Sequence, residues 1–295
     1  MLSITDKKAK PSGETRIIAS IANSLGERVA TLSLNQNSRN GEELIELPNT
    51  LKFTIMPETR HNLVNTIFVS GQAGSGKSYF SASYLRNFIK VFKPDAEDII
   101  IISADDVEDP AYVGIPHRHI IIDDSLILNP ISLDELTGKK GRSVVIFDDI
   151  EGKTGKLEKA VNSLTESVLT MGRKRGINTI FISHRSASGK LTKNILNEQN
   201  MIVWFPQTGT SRNLTYMLTQ HIGLPEGMRE ALKGAGWGRW IALYTNAPQC
   251  LVGEARTAIF DADECDKALK TKSILEKKKI QKQALIKIEQ MAEED

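Results

Sequence analysis

The segment that most constrains the fold is residues 71–78, with the sequence GQAGSGKS. It matches the pattern G-x-x-x-x-G-K-[ST] in full, and it stands between a short apolar run, IFVS, and a stretch of helical composition. Glycines at these positions let the backbone turn tightly and direct successive N–H groups inward, where the positive end of the following helix adds to them. The segment therefore predicts a strand, a phosphate-binding loop and a helix, in that order.

Each position of this loop has an expected role toward a nucleotide. The predicted nucleotide-binding residues are Gly71, Gln72, Ala73, Gly74, Ser75, Gly76, Lys77 and Ser78. We expect Lys77 to reach the β- and γ-phosphates of ATP and the hydroxyl of Ser78 to be a ligand of Mg²⁺. ATP and Mg²⁺ are therefore the expected cofactors. The alternative, a glycine-rich turn with a chance lysine, is disfavoured because the motif lies between a strand and a helix.

A second site follows the apolar run SVVIFD at residues 143–148. Acids at the end of a strand beside the phosphate-binding loop can complete a Mg²⁺ site and polarise the attacking water. We assign Asp148 to the metal and Asp149 to the base, with Glu151 as a second candidate for the base. Two alternatives stay open: an acidic helix N-cap at this place, and a rival acidic pair at residues 123–124 after the run HIII.

Polar residues also flank a third apolar run, TIFIS, at residues 179–183. Ser183 and His184 end this run, and they are candidates to sense the γ-phosphate; an ordinary strand end with a surface histidine is the alternative. Upstream, Arg173 and Arg175 are candidates for an arginine finger that reaches the ATP of a neighbouring subunit. These cations also suit contacts to DNA phosphates, or a helix C-terminus whose dipole they oppose.

Apolar runs and turn-rich breaks divide the chain into three predicted domains. Residues 1–58 are expected to form a small β-rich appendage with a polar, irregular tip. Residues 59–263 alternate short apolar runs with longer helical stretches, which is typical of an α/β fold with a mainly parallel sheet flanked by helices. Residues 264–295 form a lysine-rich tail of helical composition, and its lysines between 267 and 287 suit either a solvated helix or a DNA- or partner-binding surface.

Composition limits the class of protein. The chain has 295 residues, 40% of them hydrophobic, and its net charge of +2 does not by itself indicate a nucleic-acid binder. No apolar run is long enough to cross a bilayer, so we expect no membrane span. The first residues, MLSITDKKAKPSGE, lack the apolar core of a secretory signal. Cys250 and Cys265 have no metal-ligand spacing, and we expect reduced thiols in a cytosolic compartment.

Taken in order, the segments GQAGSGKS, SVVIFDD and RKRGINTIFISHR resemble the FtsK–HerA superfamily of DNA-pumping ATPases. The resemblance is closest to its viral branch, the poxvirus-type genome-packaging ATPases, and the later segments MIVWFP and GRWIAL extend it over residues 65–260. It implies a RecA-like P-loop NTPase core, a homo-oligomeric ring (pentamer or hexamer) and ATP-driven translocation of double-stranded DNA into a capsid. It also implies capsid or portal-vertex proteins as partners, and a location in the host cytoplasm, a virus factory or the virion.

The resemblance gives the same roles, by position, to the nucleotide, metal, acid and sensor residues assigned above: Lys77, Ser78, Asp148, Asp149, Ser183 and His184. One position departs from the pattern, because cellular members usually have glutamate where this chain has Asp149. A packaging motor is the leading hypothesis. The alternatives are another motor of the superfamily, such as a helicase-like translocase or conjugative pump, and a non-motor P-loop protein, either a nucleotide switch or a small-molecule kinase.

Overall fold

The computed structural model describes residues 1–6, 15–35, 44–107, 109–184, 189–208, 215–223, 232, 236–246 and 249–259, and only the backbone of 189–191. By its internal contacts the chain divides into two compact units. One is Pro57–Met217, and the other combines the described residues of Met1–Met56 and Leu218–Asp295.

The strands, in chain order, are β1 (Leu2–Asp6), β2 (Thr15–Asn23), β3 (Arg28–Asn35), β4 (Leu44–Glu46), β5 (Leu51–Ile55), β6 (Thr66–Ser70), β7 (Ile99–Ser103), β8 (Arg118–Ile121), β9 (Ser143–Asp148), β10 (Ile177–Ser183), β11 (Met201–Trp204), β12 (Ile241–Tyr244), β13 (Cys250–Gly253) and β14 (Arg256–Ile259). The α-helices are α1 (Lys77–Phe92), α2 (Ser125–Leu128), α3 (Leu133–Leu136), α4 (Gly155–Met171) and α5 (Gly189–Glu198). Short 3₁₀ turns lie at Ala96–Asp98, Pro110–Tyr112 and Gly172–Arg175, and a π-helical turn spans Met217–His221.

The unit Pro57–Met217 is built on a parallel sheet. Its described strands lie in the order β11-β6-β10-β9-β7-β8, and every neighbouring pair is parallel. In the middle, Phe181 lies opposite both Phe68 and Phe147, and the rings of Phe147 and Phe181 stack with centroids 4.9 Å apart. Such apolar, doubly buried strands are typical of a sheet covered on both faces. The predicted α/β fold with a mainly parallel sheet is confirmed, and the carboxyl ends of its strands share one edge.

The other unit is antiparallel. Strands β1-β3-β2-β5 form one sheet, and β4, β14, β13 and β12 pair in that order. Within this unit the hydroxyl of Tyr244 donates to the carbonyl of Ile18 at 2.7 Å, and the guanidinium of Arg16 lies 4.7 Å from the Tyr244 ring centroid. The predicted irregular tip is wrong for β1: Leu2 pairs with Leu34 and is fully buried. Pairing with β3 overrides the weak local strand signal there.

One segment that was predicted as part of the ATPase core belongs, by its contacts, to the other unit. Residues 218–259 belong with the N-terminal strands by contact, whereas the predicted core extends to residue 263. The division into appendage, core and tail stays a prediction, and the tail at 264–295, with Cys265, lies outside the described residues. Cys250 is a buried free thiol. In the described part of the chain, no helix has the length and hydropathy needed to cross a bilayer.

Candidate nucleotide site

The phosphate-binding loop connects β6 to α1, as predicted. A Cβ on Gly71 would lie 2.5 Å from Ser75 Oγ and 2.8 Å from a ring carbon of Phe205, so only glycine fits there. Gly76 caps α1 with a φ of +103°, in the left-handed region that glycine adopts without strain. The N–H of Gly71 donates to the carbonyl of Ser183 at 3.3 Å, which ties the loop to the end of β10.

The donors of this loop fit a phosphate group. The first N–H groups of a helix have no partner within the helix, and α1 has neither a capping side chain nor an acid in its first turn. The hydroxyl of Ser75 is buried and has no hydrogen-bond partner among the described residues. An anion at the start of α1 would accept from these groups and interact favourably with the helix dipole.

Lys77 is the charged centre of the site, and its side chain is only 7% exposed. Its ammonium donates to the carbonyls of Gly71 at 3.0 Å and Gln72 at 3.1 Å, and to Nδ1 of His184 at 3.1 Å. Burial lowers the pKa of Lys77, and nearby carboxylates, Asp149 first among them, oppose that shift. A phosphate oxygen would therefore meet a cation that the loop already holds in place.

His184 connects this lysine to the candidate base. An ammonium has no lone pair, so Nδ1 must accept from Lys77 and the ring proton must lie on Nε2. The Nε2–H group then donates to Oδ2 of Asp149 at 2.6 Å. The predicted sensor and the predicted base are thus joined to the phosphate-binding lysine in one hydrogen-bonded chain, Lys77–His184–Asp149.

Asp148 ends β9 beside this chain. Burial raises its pKa to about 6, and the charge of Asp149 adds to that shift while Lys77 opposes it. A divalent cation beside such a carboxylate would stabilise its charged form. Ser78, half-buried in the first turn of α1, supplies the other predicted ligand. Among the described residues, no three His, Cys, Asp or Glu side chains group closely enough to hold a metal by themselves.

Both candidates for the catalytic base lie at this edge of the sheet. Asp149 has a φ of +49°, a region in which aspartate is several-fold enriched, and its side chain is half-exposed. Glu151 accepts a hydrogen bond from the hydroxyl of Ser183 at 2.7 Å, and Ser183 is itself buried at the end of β10. The choice of Asp149 over Glu151 stays a prediction.

The rival acidic pair lies elsewhere. Strand β8, which precedes it, is at the edge of the parallel sheet, with β7, β9 and β10 between it and β6. Asp123 accepts a hydrogen bond from the N–H of Ser125 at 2.9 Å, close to the start of α2. Of the two acidic pairs, the one that the structure brings beside Lys77 is Asp148 and Asp149, at the end of β9.

Arg173 and Arg175 lie at the opposite edge of the sheet from the loop. They precede β10, whereas Ser183 and His184 follow it, and seven residues of strand span about 20 Å. Arg175 forms an ion pair with Asp134 of α3. Both arginines follow the C-terminal end of α4, where cations oppose the helix dipole. Neither can reach the nucleotide site of its own subunit without rearrangement, so a catalytic role would require a neighbouring one.

Two residues whose charges or position affect Asp148, namely Asp109 and Tyr112, were not predicted from the sequence. Asp109 caps the 3₁₀ turn Pro110–Tyr112 by accepting from the N–H of Ala111 at 2.8 Å. The available signal was the Asp-Pro pair, which favours the start of a turn after a strand. Nothing in the pattern indicated that this turn lies beside the acids of β9.

Together, the parallel sheet, the loop between β6 and α1 and the acids after β9, with β10 between the two strands, define a P-loop NTPase fold of the RecA-like kind. No protein-family model matches the chain. A relative, uncharacterized protein V3 of Sputnik virophage, is 29% identical over 218 residues, which cover 73% of this chain and 84% of the relative.

Several solved structures are similar at low identity. The genome packaging NTPase B204 from Sulfolobus turreted icosahedral virus 2, in complex with ATP-gammaS, is 17% identical, with 62% of this chain and 93% of that chain covered and a TM-score of 0.41. The pCW3 conjugation coupling protein TcpA is 17% identical, with coverages of 84% and 78% and a TM-score of 0.45. These are proteins of the kind that the motifs resemble.

Replacing Lys77 by methionine should weaken ATP binding by about 10- to 100-fold, because a hydrogen bond to a charged group contributes about 1.5–3 kcal/mol. Methionine keeps most of the buried volume. A titration with a fluorescent ATP analogue measures the change, and Lys90→Met, at an exposed position of the same helix, is the matched control. Unchanged affinity in a folded Lys77→Met protein would refute the loop assignment.

Proposed function

We propose that this chain is an ATPase that uses the hydrolysis of Mg-ATP to move double-stranded DNA, and that its task is to package a viral genome into a capsid. The observation that carries the ATPase proposal is the hydrogen-bonded chain Lys77–His184–Asp149, with Asp148 beside it. It connects the position expected for the γ-phosphate to an acid that can activate water.

The binding step follows from the loop. The N–H groups at the start of α1, the hydroxyl of Ser75 and the ammonium of Lys77 would bind the phosphates of ATP. Ser78 and Asp148 would hold Mg²⁺, which when bound neutralises negative charge on the β- and γ-phosphates. Because Asp148 has a raised pKa in the protein alone, it contributes its negative charge more fully once a cation lies beside it.

The hydrolytic step assigns separate tasks to His184 and Asp149. A γ-phosphate bound by Lys77 competes with Nδ1 of His184 for the ammonium, so the histidine responds to the presence of that phosphate. Its Nε2–H keeps Oδ2 of Asp149 in position. The other oxygen, Oδ1, can then accept a proton from the attacking water. The hydroxyl of Ser183 likewise donates to Glu151, which keeps a second acid at the same edge of the sheet.

Movement of DNA is supported by the motifs. Their order and content resemble the genome-packaging ATPases of the FtsK–HerA superfamily, and the 29% identical relative comes from a virophage. A translocase grips the duplex through phosphates rather than bases, so that it can advance over any sequence. The net charge of +2 predicts weak binding by one subunit, whereas a ring places several copies around one duplex and raises the effective concentration of contacts.

Duplex DNA should therefore stimulate ATP hydrolysis in the assembled protein, and unrelated duplexes of equal length should do so equally. Binding should fall steeply with salt, because phosphate contacts release counterions. The measurement is the ATPase rate against duplex concentration at several salt concentrations, with the particle imaged for rings. Heparin controls for a response to any polyanion. Equal rates with and without duplex, in protein shown to be assembled, would leave the nucleotide switch or the kinase as the better proposal.

The lysine-rich tail can be tested in the same assay. It lies outside the described residues, so its role rests on sequence alone. If the lysines between 267 and 287 contact DNA, truncation after residue 263 should reduce the slope of log affinity against log salt. An unchanged slope would assign the tail to solvent or to a protein partner.

A further inference from the structure

We propose that two short basic loops, at the amino edge of the parallel sheet, form a surface that binds the phosphate backbone of double-stranded DNA. Loop A is residues 138–141, with the sequence GKKG, and it precedes β9; loop B is residues 172–176, with the sequence GRKRG, and it precedes β10. The inference rests on the proposed function, because it names the surface by which the motor would hold its substrate. DNA binding and nucleotide binding are separate measurements, so the two proposals can fail separately.

The loops lie side by side because the strands that follow them are neighbours. Strands β9 and β10 are parallel, with Ile177 opposite Ser143, so both loops lie at the same edge of the sheet. The N–H of Ser143 donates to the carbonyl of Gly176 at 3.2 Å, which joins the ends of the two loops. The acids and sensor residues of the nucleotide site follow these strands, so loops A and B are at the opposite edge from the nucleotide.

Glycines allow the two loops to pack closely. Gly141 and Gly176 have φ values of +77° and +71°, in the left-handed region, and a Cβ on Gly176 would collide with the carbonyl of Gly141. Each loop is also closed by its own backbone. The N–H of Gly141 donates to the carbonyl of Gly138 at 2.9 Å, and that of Gly176 donates to the carbonyl of Arg173 at 3.2 Å. The backbone that carries the lysines and arginines is therefore well defined.

Buried groups anchor loop A from the inside. Asp98, which is 2% exposed, accepts a hydrogen bond from the N–H of Lys139 at 3.1 Å. The guanidinium of Arg142, the next residue after the loop, donates to the carbonyls of Arg60 and Leu63. A binding surface whose backbone is already held in place loses less conformational entropy when its ligand binds.

The two loops concentrate positive charge. Their nine residues include five cations and no acid, whereas the whole chain has a net charge of +2, which leaves a net charge of −3 for the rest of it. Two of the cations are paired, Lys140 with Asp95 and Arg175 with Asp134. The other three are exposed and form no ion pair with any residue that the structure describes: Lys139, Arg173 and Lys174.

The dipole of a helix accounts for only part of this charge. Helix α4 ends at Met171, where its C-terminus favours the cations of loop B, but loop A follows α3, which is a single turn. Duplex DNA presents one negative charge per about 1.7 Å of its axis, so its backbone can contact cations on two neighbouring loops at once. Such contacts read no sequence, as a translocase requires.

The decisive variants are Lys139→Gln in loop A and Lys174→Gln in loop B, alone and combined. Each removes one charge and keeps a long polar side chain. Binding of a fluorescent duplex to the assembled full chain is measured by anisotropy at several salt concentrations, with a non-hydrolysable ATP analogue present. We expect the slope of log affinity against log salt to become shallower by about 0.9 for each phosphate contact removed, equally for unrelated duplexes. Binding of the analogue should be unchanged, and arginine at both positions should keep the wild-type slope.

Lys159→Gln is the matched control, because Lys159 is exposed near the start of α4, at the other end of that helix from loop B. A wild-type slope in the combined variant overturns the inference, and so does an equal change in Lys159→Gln, which would describe a general effect of net charge. Loss of assembly in the combined variant, measured by sedimentation, also overturns it, because the loops would then be a contact between copies. Failure of the assembled wild-type chain to bind duplex would instead overturn the proposed function.

Discussion

If Arg175 is the arginine finger of a neighbouring subunit, replacing it by alanine should slow ATP hydrolysis by about 10³- to 10⁵-fold, the range for loss of such a finger. Nucleotide binding should be unchanged, because Arg175 lies at the edge of the sheet opposite the loop of its own subunit. The rate would fall because such a finger supplies positive charge beside the transferring phosphoryl group of the neighbouring subunit. Steady-state hydrolysis and analogue binding, measured on assembled protein, give the two results.

Mixed assemblies separate a role in trans from a local one. Subunits with Arg175→Ala, combined with subunits with Asp149→Asn, should recover part of the activity, because some interfaces then contain one intact acid and one intact arginine. Asp134→Ala is the matched control, since it removes the ion pair of Arg175 within the subunit and leaves the arginine in place. If Asp134→Ala slows hydrolysis as much as Arg175→Ala, or if mixed rings show no recovery, the arginine acts through its own subunit.

Asp149→Asn should retain binding of Mg-ATP but hydrolyse it about 10²- to 10⁴-fold more slowly, which is the usual contribution of a positioned general base. The amide has almost the same shape as the carboxylate and can still accept from Nε2 of His184, but it cannot take a proton from water. Single-turnover hydrolysis measures the chemical step. Normal hydrolysis by Asp149→Asn, with a large loss in Glu151→Gln, would move the base to Glu151.

Asp148→Asn tests the neighbouring assignment. This variant should weaken nucleotide binding in Mg²⁺ and leave binding in EDTA unchanged, because the carboxylate is needed for the metal and not for the phosphates. The contrast with Asp149→Asn is in the step that fails, binding in one variant and hydrolysis in the other. Identical behaviour of the two variants would contradict the division of roles.

The sequence predicted the centre of the fold well for a physical reason. Buried parallel strands are continuous apolar runs bounded by polar residues, and the apolar run predicted at residues 143–148 has the bounds of β9. The loop residues were predictable because phosphate binding demands glycines, a lysine and a helix start in a fixed order. The edge strand β1 was missed, because its pairing with β3 is a long-range effect with little local signal.

The site was only partly predictable, because its links depend on side-chain geometry. Sequence placed His184 after a strand, but not between Lys77 and Asp149. The same limit applies to Asp109, which comes to the site through the position of β7 in the sheet. The location of Arg175 could have been predicted from the sequence, since residues that precede a parallel strand lie at the opposite edge of the sheet from those that follow it.

The two ends of strand β10 carry residues with different proposed partners. At its carboxyl end lie the residues that contact the chain's own nucleotide site, Ser183 and His184, and at its amino end lies Arg175, the group proposed to serve the next subunit. The strand is buried, and it pairs with β6 over Thr179–Ser183 and with β9 over Ile177–Ile182. Because both neighbours hold the strand in register, we expect a shift of its carboxyl end to be accompanied by a shift of its amino end. In the proposed ring, β10 of each subunit would then connect the nucleotide of that subunit with the site of the next.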